Sequence, residues 1–320
     1  MTLAPALSFR QKMYAMELAP NTRVAYGKGW QSFEDFCLLM GIEDPLDADE
    51  EVVAKWLLHI STTPSKKGLK PLHPGTVKLY RSGVNKAFEI SGRQSPGKHP
   101  LVNATMKAVC RDNAQPARQA QPLREYHIEA MLRATPRSLI GYRDAAVIAL
   151  GFSAALRRSE LVGLNFDDIE FIDEDDDQDT KLIVHIRQSK TDQFSQGQQV
   201  PVINGKRIRP VSRLRRWLRS SSVREGPLFR TMKRGDTVRR NPLHSSDYVR
   251  LIKFYAQQVG IDPATVSGHS LRAGFVTSAA SHRARLDKIM SVTRHTSIDM
   301  VMKYTRDADI FDDHAGASFL

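Results

Sequence analysis

Residues 112–123, DNAQPARQAQPL, are the stretch that most limits what this chain can become. They are rich in Ala, Gln and Pro, carry almost no apolar surface, and separate two regions of helical periodicity. A segment of that composition reads as a linker between two packed domains. The 320 residues are also more than one average domain needs. We therefore expect a helical domain over 1–114, a linker over 115–123 and a larger domain over 124–320.

In the first region apolar residues recur at helical spacing. Asn21 is placed to cap a helix running to about Met40, with Val24, Trp30, Phe33, Phe36 and Leu38 as its apolar surface. Further helices fit 47–61, 76–90 and 101–112. On the helix over 76–90, Val77, Tyr80, Val84 and Phe88 share one side. Lys78, Arg81, Ser82, Asn85 and Lys86 lie on the adjoining polar side. Such a side is usually just solvated. It also suits a helix in a DNA major groove, where cations hold phosphates and amides read bases.

The second region continues with helical patterns at 125–134 and 139–154. KLIVHIRQ (181–188) and QQVPVI (198–203) then alternate like two strands. Helices return near 209–220, 244–259, 270–283, 285–294 and 297–307. The expected fold class is mainly α: a small all-helical N-terminal domain, then a larger α+β domain with a small β-hairpin or sheet.

Charge narrows the partners. The chain carries 47 Lys and Arg against 35 Asp and Glu, a net +12. Nine of those acids fall in DDIEFIDEDDDQD (167–179), which reads as a solvated loop and lacks the spacing and glycine of a metal-binding loop. The remainder holds 47 cations against 26 anions, so a polyanion is the expected partner. Clustered acids in one loop also disfavour a metal-dependent nuclease or transposase, and no metal site is expected. Cys37 and Cys110 lack metal-ligand spacing and read as buried free thiols in a reducing compartment. No run of 18 apolar residues is present, and the N-terminus lacks an apolar signal core. The reading is cytoplasmic, with no membrane.

Five pieces of the second region carry chemistry: AALRRSEL (154–161), RQSKTDQ (187–193), GHSLRAG (268–274), TRHTS (293–297) and VMKYTRD (301–307). HSLR by itself is weak. HSLR followed by His295, with a Tyr nine residues later, is far more specific. In order and spacing the five resemble the catalytic domain of the tyrosine site-specific recombinases of the phage integrase family, with the Cre type the nearest likeness. The likeness extends to the N-terminal domain through HPLVNATMKAVCRDN.

The resemblance implies a set of roles. Tyr304 is the nucleophile, forming a 3′-phosphotyrosine that retains the phosphodiester bond energy, so no cofactor is required. Arg157 and Arg272 hold the non-bridging oxygens, as forked guanidiniums can and a Lys cannot. Lys190 protonates the leaving 5′-oxygen. His269 helps deprotonate the tyrosine, and His295 donates to a non-bridging oxygen. Relatives often carry His there, whereas the Cre type carries Trp. Glu160 orients the active-site cations. Each has a plainer reading: solvated arginines, a hairpin lysine, capping histidines, a packing tyrosine.

The same resemblance implies a clamp on double-stranded DNA with inverted half-sites. It also implies a homo-tetramer on two DNA sites, and a monomer or weak oligomer when free. The tail DADIFDDHAGASFL would dock into a neighbouring protomer through Ile310, Phe311, Phe319 and Leu320. Two other readings remain at this point: a type IB topoisomerase-like nicking and resealing enzyme, and a catalytically silent DNA-binding protein.

Overall fold

A computed structural model of the chain describes residues 18, 20–64, 70–113, 120–172, 180–187, 197–233, 236–295, 297–298 and 301–302. It divides into two units, Met1–Ala117 and Arg118–Leu320. Among the described residues no helix is long and apolar enough to cross a membrane.

The first unit holds α1 (Pro20–Leu39), α2 (Glu50–Thr62), α3 (Pro74–Ile90) and α4 (Pro100–Asp112). Its helix starts are set by short polar side chains. Asp49 Oδ1 accepts from the Val52 N–H at 2.9 Å, so α2 opens at Glu50, and Pro45–Asp47 form a separate 3₁₀ turn. Helices α3 and α4 both open on His-Pro. The Nδ1 atoms of His73 and His99 accept from Gly75 and Leu101 N–H groups at 3.1 and 3.3 Å. Proline at the first helical position gives up an N–H that would otherwise lack a partner. Helix α1 already includes Pro20, so Asn21 sits in its first turn and is not the expected cap.

The core of this unit gathers Trp30, Phe33 and Cys37 from α1, Trp56 and Leu57 from α2, and Val77, Val84 and Phe88 from α3. Val24 and Leu38, expected on that surface, are exposed at 57% and 76%. They lie about 180° and 140° around the helix from Phe33, off the buried stripe. Helices α1 and α3 pack backbone to backbone: a Cβ at Gly29 would meet Tyr80 Cα at 2.6 Å, and one at Gly83 would meet Tyr26 Cα at 2.9 Å. Burial raises the Cys37 thiol to about 11, as befits an inert core thiol, while Cys110 is only half-buried.

The second unit is built on α6 (Leu139–Ser153), which follows α5 (Glu125–Arg133). From Gly141 to Phe152 every residue of α6 but Tyr142 is buried. Its two interior charges, Arg143 and Asp144, pair at 2.7 Å, and the Tyr255 hydroxyl donates to Asp144 at 3.0 Å. After α7 (Arg158–Gly163) come β1 (Ile169–Ile172), β2 (Lys181–Ile186) and β3 (Gln198–Ile203), an antiparallel sheet in that order. Then follow α8 (Pro210–Ser221), the hairpin β4 (Arg230–Lys233) and β5 (Thr237–Pro242), α9 (Ser245–Gln258), α10 (Ser270–Ser281) and α11 (Leu286–Thr293).

Three expectations need correcting here. The acidic stretch is not wholly a loop: Ile169–Ile172 form β1, paired with β2, and Asp168 is buried, accepting from Asn165 N–H at 2.8 Å. The hairpin β4–β5 carries too little alternating apolar surface to announce itself. Part of the expected linker belongs to the second unit. Gln121 and Leu123 N–H groups bond to Thr265 and Ser270 carbonyls at 2.9 and 3.0 Å, and Leu123 is fully buried.

Candidate active site

Helix α6 ends beside a turn in which Ala155 adopts φ 46°, the left-handed region that costs a non-glycine residue roughly 1 kcal/mol. The turn does two things. It delivers Arg157 to the N-terminus of α7, and it aims the Ala155 carbonyl at Arg272, whose Nη1 donates to it at 2.8 Å. Arg272 lies in the first turn of α10 and is 4% exposed. The start of α10 is pinned by residues 121–124 crossing over Gly274. A Cβ there would fall 1.9 Å from the Leu123 carbonyl oxygen, which is why the GHSLRAG stretch ends in glycine.

Glu160 reaches back one turn. Its Oε2 accepts from the Arg157 N–H at 2.8 Å and its Oε1 from Arg157 Nη1 at 2.7 Å. Arg157 is thereby held inward while Arg158 is exposed. Burial alone would raise the Glu160 pKa. The Arg294 charge and the Arg157 hydrogen bonds outweigh it, and the carboxyl titrates below its ordinary range.

Sequence reasoning missed Arg294. It follows α11 at φ 58°, is 9% exposed, and donates from Nη2 to Glu160 Oε2 at 2.8 Å. Its Nε and Nη1 have no hydrogen-bond partner among the described residues. Nothing in TRHTS signals this, because an arginine next to a histidine at a helix end ordinarily faces water.

His295 comes next, half-buried. The Thr293 hydroxyl spends its single proton on the Ile289 carbonyl at 2.7 Å and lies 2.9 Å from His295 Nδ1. The ring must therefore donate from Nδ1, which leaves Nε2 without a proton in the neutral imidazole. Burial first, then Arg272, Arg157, Arg294 and His269, push its pKa down to about 4. His269 precedes α10 at the surface, with its N–H on Ser267 Oγ at 3.1 Å. Partial desolvation, then Arg272, Arg157 and Arg158, lower its pKa as well.

Arg157, Glu160, His269, Arg272 and His295 thus act on one another from three separate segments. Lys190, Tyr304 and the tail residues Ile310, Phe311, Phe319 and Leu320 lie outside the described residues. The expected DNA-reading face of α3 is less free than its pattern implies. Arg81 donates to the Gly97 carbonyl at 2.8 Å and to Asn103, and Asn85 accepts from Ser95 at 2.9 Å. Lys86 pairs with Glu89 at 2.6 Å, and Ser82 bonds back to the Lys78 carbonyl at 3.0 Å. Lys78 is exposed.

Three guanidiniums, one carboxylate and two neutral imidazoles leave a surplus of positive charge suited to a phosphate ester. The fold and site thus define an enzyme that works on phosphoryl groups with protein cations. Comparisons with known proteins narrow the class. The model of the phage integrase family matches residues 121–310. An integrase/recombinase XerD homolog of Selenomonas ruminantium is 32% identical over 304 residues, covering 93% of this chain and 84% of that protein. The tyrosine recombinase XerD of Xanthomonas axonopodis pv. citri is 32% identical over 198 residues, 57% of each chain. Among solved structures, the XerH site-specific recombinase bound to a palindromic difH substrate superimposes with TM-score 0.69 at 17% identity, covering 98% of this chain and 85% of that one. The Tn1549 transposon integrase in complex with transposon right end DNA gives TM-score 0.62 at 18% identity, covering 94% and 97%. This chain belongs to the phage integrase family and is a tyrosine recombinase. These relatives establish the family without bearing on the narrower Cre-type likeness.

Proposed function

We propose that this chain cuts and rejoins duplex DNA at paired inverted half-sites through a 3′-phosphotyrosine on Tyr304. The observation that carries the reading is the convergence of Arg157, Arg272 and His295 around one place, with Glu160 ionised beneath them. In the proposed step the Tyr304 phenol oxygen bonds to phosphorus and the bond to the 5′-oxygen breaks. The phenol proton passes to His269, and Lys190 supplies a proton to the leaving oxygen. Attack adds negative charge to an already anionic phosphodiester. Arg157 and Arg272 meet that charge as preorganised forks. Because the phosphotyrosine conserves the bond energy, nucleotide hydrolysis has no task in this scheme, and the protein's own cations take the charge-stabilising role a divalent metal would otherwise have.

His295 enters with a condition. Its Nδ1 proton is committed to Thr293, so it can donate to a non-bridging oxygen from Nε2 only as the imidazolium. The incoming phosphate supplies the negative charge that raises its pKa towards that form.

Assembly extends the same reading. Two DNA sites held by a homo-tetramer, with the tail from 310 docking on a neighbouring copy, would couple each Tyr304 to the next protomer. The free protein would then be a monomer or weak oligomer, working in the cytoplasm on nucleoid DNA. Lys78, Arg81, Ser82, Asn85 and Lys86 would approach DNA chiefly as backbone contacts, given the internal bonds of Arg81 and Asn85.

The deciding experiment is Tyr304→Phe. The variant should bind its DNA site with wild-type affinity yet form no protein–DNA adduct on a denaturing gel. Adduct at wild-type levels would remove Tyr304 from the role.

A further inference from the structure

At the opposite end of α6 from the catalytic residues the second unit has a cavity of about 520 Å³ walled by arginine. Arg209, Arg213, Arg216 and Arg219 line it from α8 and the turn before it. Arg133 and Arg137 face them from the end of α5 and the α5–α6 connection. No carboxylate is among its described lining residues, and no lysine either. Glu129, which does not line the cavity, pairs with Arg133 at 3.9 Å and Arg207 at 3.6 Å.

Helix geometry explains the array. Residues three apart lie on neighbouring parts of one helix side, so Arg213, Arg216 and Arg219 share a side of α8, and Arg209 joins them from the turn before it. The other face, Val211, Leu214, Trp217 and Leu218, is buried against the core and fixes the helix. Arg213 is itself held in place, with Nε donating to the Ile208 carbonyl at 2.9 Å. Burial first, then the charges of Arg216 and Arg209, make its charged form harder to keep. The Arg216 guanidinium lies 5.5 Å from the centre of the Tyr142 ring, and Tyr142 lines the same cavity.

A solvated cationic face needs no concavity, and like charges gathered in one cost energy until an anion neutralises them. The volume is that of a small-molecule pocket. Guanidinium forks rather than lysines suit the paired oxygens of phosphate. Tyr142 and Ala154 are twelve residues apart on or beside α6, on the order of 18 Å along its axis. One phosphate ester therefore cannot occupy both the cavity and the catalytic site.

We propose that this cavity binds a small anion of two or more linked phosphates, inorganic or carried by a nucleoside, at a site separate from the one that handles DNA. A duplex is too wide to enter it and would present no more than its outermost phosphates to the rim.

The test is calorimetric titration of the full chain with inorganic tripolyphosphate, with ATP, and with monophosphate as control. It is repeated on the triple variant Arg137→Gln, Arg216→Gln, Arg219→Gln. All three side chains are exposed, so the variant should unfold at the wild-type temperature. Saturable tripolyphosphate binding, at least tenfold weaker in the variant and much stronger than monophosphate, supports the site. ATP binding more tightly than tripolyphosphate assigns a nucleoside carrier, and equal or weaker binding assigns the phosphate chain alone. Equal tripolyphosphate affinity in variant and wild type overturns the proposal, as does absence of saturation. It also fails if the variant loses affinity for a short duplex without a recombination site while its tripolyphosphate affinity is unchanged. Neither result depends on whether Tyr304 is the nucleophile.

Discussion

Arg294 and Glu160, 134 residues apart, meet at 2.8 Å in the interior of the second unit, and the same carboxylate holds Arg157. One buried anion therefore sets the position of two guanidiniums that approach from different ends of the domain. Glu160→Gln keeps the shape and removes the charge. Single-turnover cleavage should slow on the order of 10- to 100-fold, as for other residues that orient a catalytic group. Glu160→Ala should in addition cost about 3–5 kcal/mol of stability, because the buried Arg294 and the half-buried Arg157 lose their counter-ion. Denaturant melts and a cleavage time course read the two effects separately.

Arg294→Gly separates backbone strain from charge. Glycine accepts φ 58° freely, which should return roughly 1 kcal/mol against the lost ion pair. The diagnostic readout is His295. Arg294 is one of the charges that hold its pKa at about 4, so the variant's imidazole should titrate higher by NMR. An unchanged titration would mean that Arg294 does not act on the site.

Stability should depend on pH through the same ring. The folded pKa of His295 lies below the ordinary 6.5, so between about 6.5 and 4 the unfolded chain binds more protons than the folded one. Stability is full above that window and falls as pH drops through it. His269 adds in the same direction. His295→Asn should flatten the slope of unfolding midpoint against pH. Site DNA should work oppositely: binding near pH 6 should take up protons, seen as a buffer-dependent calorimetric enthalpy.

Gly274→Ala tests the crossing of residues 121–124 over α10. The added Cβ would sit 1.9 Å from the Leu123 carbonyl oxygen, so one of the two segments must move. Overpacking of this kind costs about 1–3 kcal/mol or more. Because Arg272 is two residues away, cleavage should fall beyond what the loss of stability explains. Wild-type melting of this variant would show that the crossing is loose.

Much of the fold was readable because it rests on local patterns. Periodicity placed the α5, α6, α9 and α10 helices and the strands β2 and β3, since a helix or strand that buries one face repeats that face in sequence. It failed where burial and pattern diverge. β1 is hidden inside an acidic run, β4–β5 is mostly exposed, and Asn21 has the identity of a cap at a position that is not one.

The active site divides along the same line. The order of the motifs and their likeness to the tyrosine recombinases put Arg157, His269, Arg272 and His295 in one candidate site, and in the structure these side chains act electrostatically on one another. Sequence could not supply Arg294 as the second partner of Glu160, nor the Thr293 bond that fixes the His295 tautomer, nor the internal bonds that occupy Arg81 and Asn85. The Arg294–Glu160 pair depends on which atoms meet when segments 134 residues apart come together, and the other bonds depend on the local path of the backbone and on which way each side chain turns. Periodicity and composition carry no information about such meetings, because they describe neighbours along the chain. The left-handed turns at Ala155 and Arg294 were decided by tertiary packing alone, which holds in place two backbone conformations that their own residues disfavour.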